Sequence, residues 1–149
     1  YKIIFDGAGL VDSWVSNGTT WTLRGQKLLI RYIVNDVDET IAFYTSKLGF
    51  ELRKSFAPAV AFLGHGDLTL LVSSMIASAS EPMLDGTVPS PGGGWNRFIL
   101  EFGDLESVVS KLKGEGVTFR NDIMDTPHGK QVICEDPSGN VIELRQPPG

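Results

Sequence analysis

Two stretches of the chain carry the same pattern: an apolar run broken by charge at alternate positions, then an aspartate, then apolar residues at helical spacing. Residues 28–34 predict a strand, and Asp36 or Asp38 caps a helix whose apolar stripe is Val37, Ile41, Tyr44 and Leu48. Residues 96–102 predict the matching strand, with Asp104 as cap and Leu105, Val108, Val109 and Leu112 on the buried side. Gly49 and Gly116 end the two helices, where a left-handed residue favours glycine. Asp36 maps onto Asp104, Val37 onto Leu105, Ile41 onto Val109 and Tyr44 onto Leu112, each at an offset of 68 (104 − 36). The chain therefore reads as an internal duplication.

Three strand patterns follow each helix, at 50–56, 59–63 and 68–73 in the first half and at 117–121, 130–135 and 141–146 in the second. Residues 64–67, Gly-His-Gly-Asp, and 136–140, Asp-Pro-Ser-Gly-Asn, supply turns. Each half is a βαβββ module, and the fold class is α+β. The expected organisation is an N-terminal β extension over 1–26, module one over 27–74, a linker loop over 75–95 and module two over 96–147. The extension carries β-like pieces at 1–5, 10–15 and 20–23, and its Trp14 and Trp21 are expected to anchor it to the main sheet or to a partner subunit. The linker is rich in Ser, Pro and Gly and delivers Trp95 to the mouth of the strand carrying Arg97. It is expected to help close a site, the alternative being a plain crossover with Trp95 as its anchor.

Strand alternation assigns the faces. Leu28, Ile30, Tyr32 and Val34, with Asn96, Phe98, Leu100 and Phe102, are expected under the helices. The opposite faces carry Leu29, Arg31 and Ile33, then Arg97, Ile99 and Glu101, which is unusually charged for an enclosed surface, and these are expected to line the site.

Composition narrows the classes. A chain of 149 residues that is 42% hydrophobic is one domain's worth and buries a core without staples. Its one cysteine, Cys134, sits in a β-like run and reads as a small buried hydrophobe, which excludes a disulfide framework and suits a reducing cytoplasm. No apolar run approaches the roughly 20 residues that span a bilayer, so no membrane association is expected. A formal charge of −5 without a Lys/Arg stripe argues against nucleic acid. His65 and His128 both lie in glycine-flanked turns, where an exposed turn residue is the simpler reading.

The segments 34–44 (VNDVDETIAFY), 48–51 (LGFE) and 135–144 (EDPSGNVIEL) resemble the hallmarks of the vicinal oxygen chelate superfamily, the group of glyoxalase I, bleomycin-resistance proteins and extradiol dioxygenases. The resemblance covers about 27–147. It implies paired modules curled into an open, U-shaped mixed sheet, a homodimer, and, in catalytic members, a divalent metal held from the first and last strands of each module. Carried over one position at a time, those ligands fall on Leu29, on Arg97, near Leu70 and on Glu143. Of the four, Glu143 alone is a metal ligand by chemistry, so neither a metal nor another cofactor is expected, and an Arg97–Glu143 ion pair is expected in that space.

The reading that follows is a metal-free binding protein in the manner of the bleomycin-resistance branch, holding a small organic molecule. Arg31, Arg97, Glu101 and Glu143 would make polar contacts and Trp95 would act as lid or stacking surface. His128 joins them because relatives place its loop close to the pocket. No catalytic residue is assigned. The alternatives are a lyase, isomerase or dioxygenase-type enzyme using non-standard ligands or Glu143 or Glu101 as base, and an oligomer-forming interaction module.

Overall fold

The computed structural model describes residues 2–9, 11–22 and 28–149, so Tyr1, Leu10, Leu23 and Lys27, and with them the edges of several expected elements, lie outside the described residues. An antiparallel sheet of β1 (Lys2–Phe5), β2 (Val11–Ser16) and β3 (Thr19–Thr22) comes first, and its register sets Ile3 opposite Trp14 and Trp14 opposite Trp21.

Module one follows as β4 (Leu29–Ile33), α1 (Val37–Lys47), β5 (Glu51–Phe56), β6 (Val60–His65) and β7 (Leu68–Ser73). Module two is β8 (Phe98–Glu101), α2 (Leu105–Gly114), β9 (Met124–Thr126), β10 (Gly129–Glu135) and β11 (Val141–Gln146). The sheets have equivalent orders, β4-β7-β6-β5 and β8-β11-β10-β9, and in each the first strand pairs in parallel with the last. The duplication extends to the caps. Asp36 Oδ1 accepts the Glu39 N–H at 2.8 Å and Asp104 Oδ1 the Ser107 N–H at 3.2 Å, while Gly49 and Gly116 both take positive φ, +72° and +86°.

One core joins the modules. Tyr32 on β4 and Phe98 on β8 stack at 5.5 Å, and Phe98 also meets Tyr44 at 6.4 Å and Phe50 at 5.9 Å. The joint is finished by polar bonds into the 136–140 turn. Tyr44 donates its hydroxyl to Asp136 Oδ2 at 3.0 Å, Tyr32 donates to the Val141 carbonyl at 2.6 Å, and Asn140 Nδ2 donates to the Ile33 carbonyl at 2.9 Å. Asp136, 4% exposed, also accepts the Ser138 and Asn140 backbone N–H groups at 2.9 Å each. A segment that sequence reads as a turn is thus the peg that locks module two onto α1.

Three expectations need correction. Residues 117–121 do not form a strand of their own: Phe119 makes an isolated bridge to Cys134, and Asn121 Oδ1 takes the Ile133 N–H at 2.9 Å in place of a backbone partner, so the edge resumes only at β9. Leu28 precedes β4 and is 85% exposed, and Asn96 is exposed too, so the surface under the helices begins at Tyr32 and Phe98. Leu70 belongs to the helix-covered side at 0% exposure, because it pairs with Ile30; the neighbours that share a face with Leu29 and Arg31 are Thr69 and Leu71.

Candidate functional site

Each sheet has one face under its helix and one face free of it. On module two the free face is written by register: Ile99 lies beside Glu143 and Ile133, and Glu101 beside Arg145 and Gln131. Arg97 precedes β8 and its guanidinium reaches Glu143, Nε to Oε1 at 3.0 Å and Nη2 to Oε1 at 2.9 Å, while Nη1 donates to the Trp95 carbonyl at 3.0 Å. The expected ion pair is therefore present. Glu143 is 6% exposed, and among the described residues no hydrogen bond reaches its Oε2.

The next row holds Glu101 and Arg145, Oε2 to Nη1 at 3.3 Å, with Arg145 Nη2 donating to the His128 carbonyl at 2.9 Å. His128 thus meets this row through its backbone, and its own N–H is held by Thr126 Oγ1 at 3.1 Å. The linker's end is tied down beside this face. The Arg120 guanidinium lies 5.1 Å from the centre of the Trp95 ring and pairs with Glu135 at 2.7 Å, and the Gly92 N–H donates to Asn140 Oδ1 at 3.3 Å. At Gly92 a Cβ would stand 2.7 Å from the Ser138 carbonyl oxygen, so only glycine lets the linker come this close. Trp95 itself is 67% exposed.

Arg31 stands apart from these five. It lies on the free face of module one, where its Nη1 donates to Ser73 Oγ at 2.8 Å. That face also carries an open groove of 760 Å³ lined by Leu28, Leu29, Arg53, Lys54, Phe62 and Thr69, with Gly66 and Asp67 at its edge. Sequence reasoning missed Arg53, Lys54, Arg120 and Arg145. Arg145 was accessible to it, being two residues from Glu143 on one strand; the others depend on register or on long-range contact.

The positions that resemblance assigns to metal ligands do not fit a divalent ion. Leu29 offers no donor, Arg97 is a permanent cation, Glu143 is engaged by it, and Leu70 is in the core. Among the described residues no group of three or more His, Cys, Asp or Glu converges as a metal site. Nor is a thiol nucleophile provided, since burial pushes the Cys134 thiol up to about 12. Burial likewise raises the Tyr32 hydroxyl to about 12 and holds the Asp136 carboxyl above its usual range despite the hydrogen bonds it accepts.

Comparison with known proteins agrees with this architecture. Residues 28–144 match the model of the Glyoxalase/Bleomycin resistance protein/Dioxygenase superfamily. The chain is 31% identical over 140 residues to a probable chloroplastic lactoylglutathione lyase of Arabidopsis thaliana, covering 89% of this chain and spanning only 37% of that protein's length. Among solved structures it resembles lactoylglutathione lyase from Agrobacterium tumefaciens, with TM-score 0.64 at 18% identity over 84% of this chain and 96% of that one. It also resembles TnmS3, an antibiotic binding protein from Streptomyces sp. CB03234, with TM-score 0.57 at 21% identity over 83% and 98%. The chain belongs to the Glyoxalase/Bleomycin resistance protein/Dioxygenase superfamily.

Proposed function

We propose that this protein holds a small organic molecule against the helix-free faces of its sheets and does so without a metal. The observation that carries the reading is the Arg97–Glu143 pair: the one carboxylate at the metal-ligand positions is engaged by a guanidinium at 2.9 Å. A fixed cation there replaces a metal's charge but offers no exchangeable coordination position. The uncontacted Oε2 of Glu143 supplies an acceptor for a ligand N–H or O–H, Glu101 and Arg145 lie one row away, and Trp95 flanks the edge as a stacking surface. The antibiotic-binding neighbour TnmS3 supports this use of the fold.

Exposed apolar side chains on the module-two face, Ile99 at 51% and Met124 at 46%, favour a homodimer in which a second copy covers them. A cytoplasmic setting and a small-molecule rather than nucleic-acid partner complete the proposal. Among the described residues no helix is long and apolar enough to cross a membrane.

A second reading, a lyase, has the Arabidopsis relative in its favour. Native mass spectrometry of protein purified without an affinity tag separates the two. A dimer carrying an organic adduct and no metal is the expected result. One divalent ion per subunit would overturn the metal-free reading and favour the enzyme.

A further inference from the structure

The two free faces are electrically unlike. On module two every arginine that borders the face is neutralised: Arg97 by Glu143, Arg145 by Glu101 and Arg120 by Glu135. On module one Arg31, Arg53 and Lys54 have no carboxylate partner among the described residues, although the chain as a whole carries a formal charge of −5. Glu51 and Asp67, the acidic residues nearest in register, form no ion pair with them.

These cations are placed by one irregularity. The β5–β6 ladder runs Leu52 to Leu63 and then Lys54 to Phe62, so Arg53 is an extra, bulged residue. Strict alternation from Leu52, which pairs with the core residue Leu63, would send Lys54 and Phe56 to the helix side. The bulge reverses that and puts Lys54 beside Phe62, in the same cross-strand row as Leu71 and Arg31. That row is a cation, two apolar residues and a second cation.

Arg53 is also held rather than trailing in solvent. Nη1 donates to Thr69 Oγ1 at 2.7 Å and Nη2 to the Gly66 carbonyl at 3.1 Å, which uses two of the five guanidinium N–H groups. The guanidinium lies over Gly64, where any Cβ would overlap it. Lys54 Nζ sits 4.9 Å from the Phe56 ring centre. Around them the groove wall is Leu28, Leu29 and Phe62.

From this arrangement we infer that the ligand is an amphiphilic anion, a flat apolar body bearing a carboxylate, sulfonate or phosphate. Its body lies on Leu28, Leu29 and Phe62, and its oxyanion is received by Arg53 and Lys54, with Arg31 farther along the row. The inference rests on the binding reading above and names the class of molecule. Its volume is suited to the task, since small-molecule sites run from about 300 to 1,000 Å³ and this groove measures 760 Å³.

The test is calorimetric titration of the full chain with 2-naphthoate and with 2-naphthamide, which share a ring system and differ in charge. Naphthoate is expected to bind about tenfold more tightly, the size of a charge-assisted hydrogen bond, and to weaken as salt is raised because the groove is open. Arg53→Gln/Lys54→Gln should remove that preference, bringing the naphthoate affinity to that of naphthamide in the same variant. Gly64→Ala keeps every charge but displaces the guanidinium from Thr69 and Gly66, and should reduce the preference in part. Equal affinity of the wild type for both probes, or a preference that survives in the double variant, overturns the anion assignment while the binding reading stands. Failure to bind either probe, together with no organic adduct in the native spectrum, overturns both.

Discussion

Replacing Arg97 with methionine isolates the interaction on which the functional proposal depends. Glu143 is 6% exposed and takes its hydrogen bonds from Arg97 alone among the described residues, whereas the Arg97 side chain keeps 28% of its surface. Removing one partner of a fully buried pair costs about 3–5 kcal/mol, because the other charge is stranded. With one partner partly solvated, so that water enters as the guanidinium leaves, Arg97→Met should cost about 2 kcal/mol. Glu143→Leu removes the charge with the acceptor, so Arg97→Met/Glu143→Leu should return to within about 1 kcal/mol of the wild type. The cycle then shows a coupling well above experimental error. Urea unfolding of the four proteins measures this, provided the slopes agree. A single variant destabilised by less than about 0.5 kcal/mol, the range of an exposed pair, would refute the claim that Glu143 is sealed behind Arg97. A double variant as unstable as the sum of the singles would refute their coupling.

Three further outcomes follow from the fold. Asp136→Asn leaves one oxygen where two accept four donors, and should cost about 1–3 kcal/mol. Because the folded pKa of Asp136 is raised, its protonated form is favoured by folding: that contribution is full below the usual carboxylate range and lost as pH rises through the folded value, so the gap between wild type and Asp136→Asn should narrow from about pH 4 upward in urea titrations at stepped pH. Asp36→Ala and Asp104→Ala should each lower stability by about 1 kcal/mol, and together by the sum, as read by thermal unfolding. Cys134, with its thiol pushed up to about 12, should resist iodoacetamide at pH 8 until denaturant is added, as followed by intact-mass measurement.

What was legible in the sequence is what local chemistry decides. Both N-caps and both glycine stops follow from aspartate, glycine and periodicity, the caps recurring at an offset of 68 (104 − 36) and the glycines at 67 (116 − 49). The Arg97–Glu143 pair was legible as well, because the family resemblance assigns both residues to ligand positions of one site. The failures share a cause. Residues 117–121 have strand composition, but whether they pair depends on a side chain, Asn121, substituting for the backbone. Leu70 was assigned to the wrong face by a shift of one residue, which in a strand reverses every side chain.

The same sensitivity hid the cations of module one. Nothing in the run Glu51-Leu52-Arg53-Lys54-Ser55-Phe56 announces a bulge, and without it Lys54 and Phe56 would share the side of Leu52. With it, a single register shift brings Lys54 and Phe56 onto the free face beside Arg53, and Gly64 on the facing strand leaves room for the guanidinium. Of the charged residues that alternation did expose, Arg97 and Glu101 end in ion pairs, whereas Arg31 is held by the Ser73 hydroxyl. Charge that is satisfied internally positions a ligand, whereas charge left open attracts one. Selectivity should therefore follow the bulged strand of module one more closely than the paired face of module two: the Arg53→Gln/Lys54→Gln variant should change which molecules bind, and Arg97→Met should change how well the fold holds them.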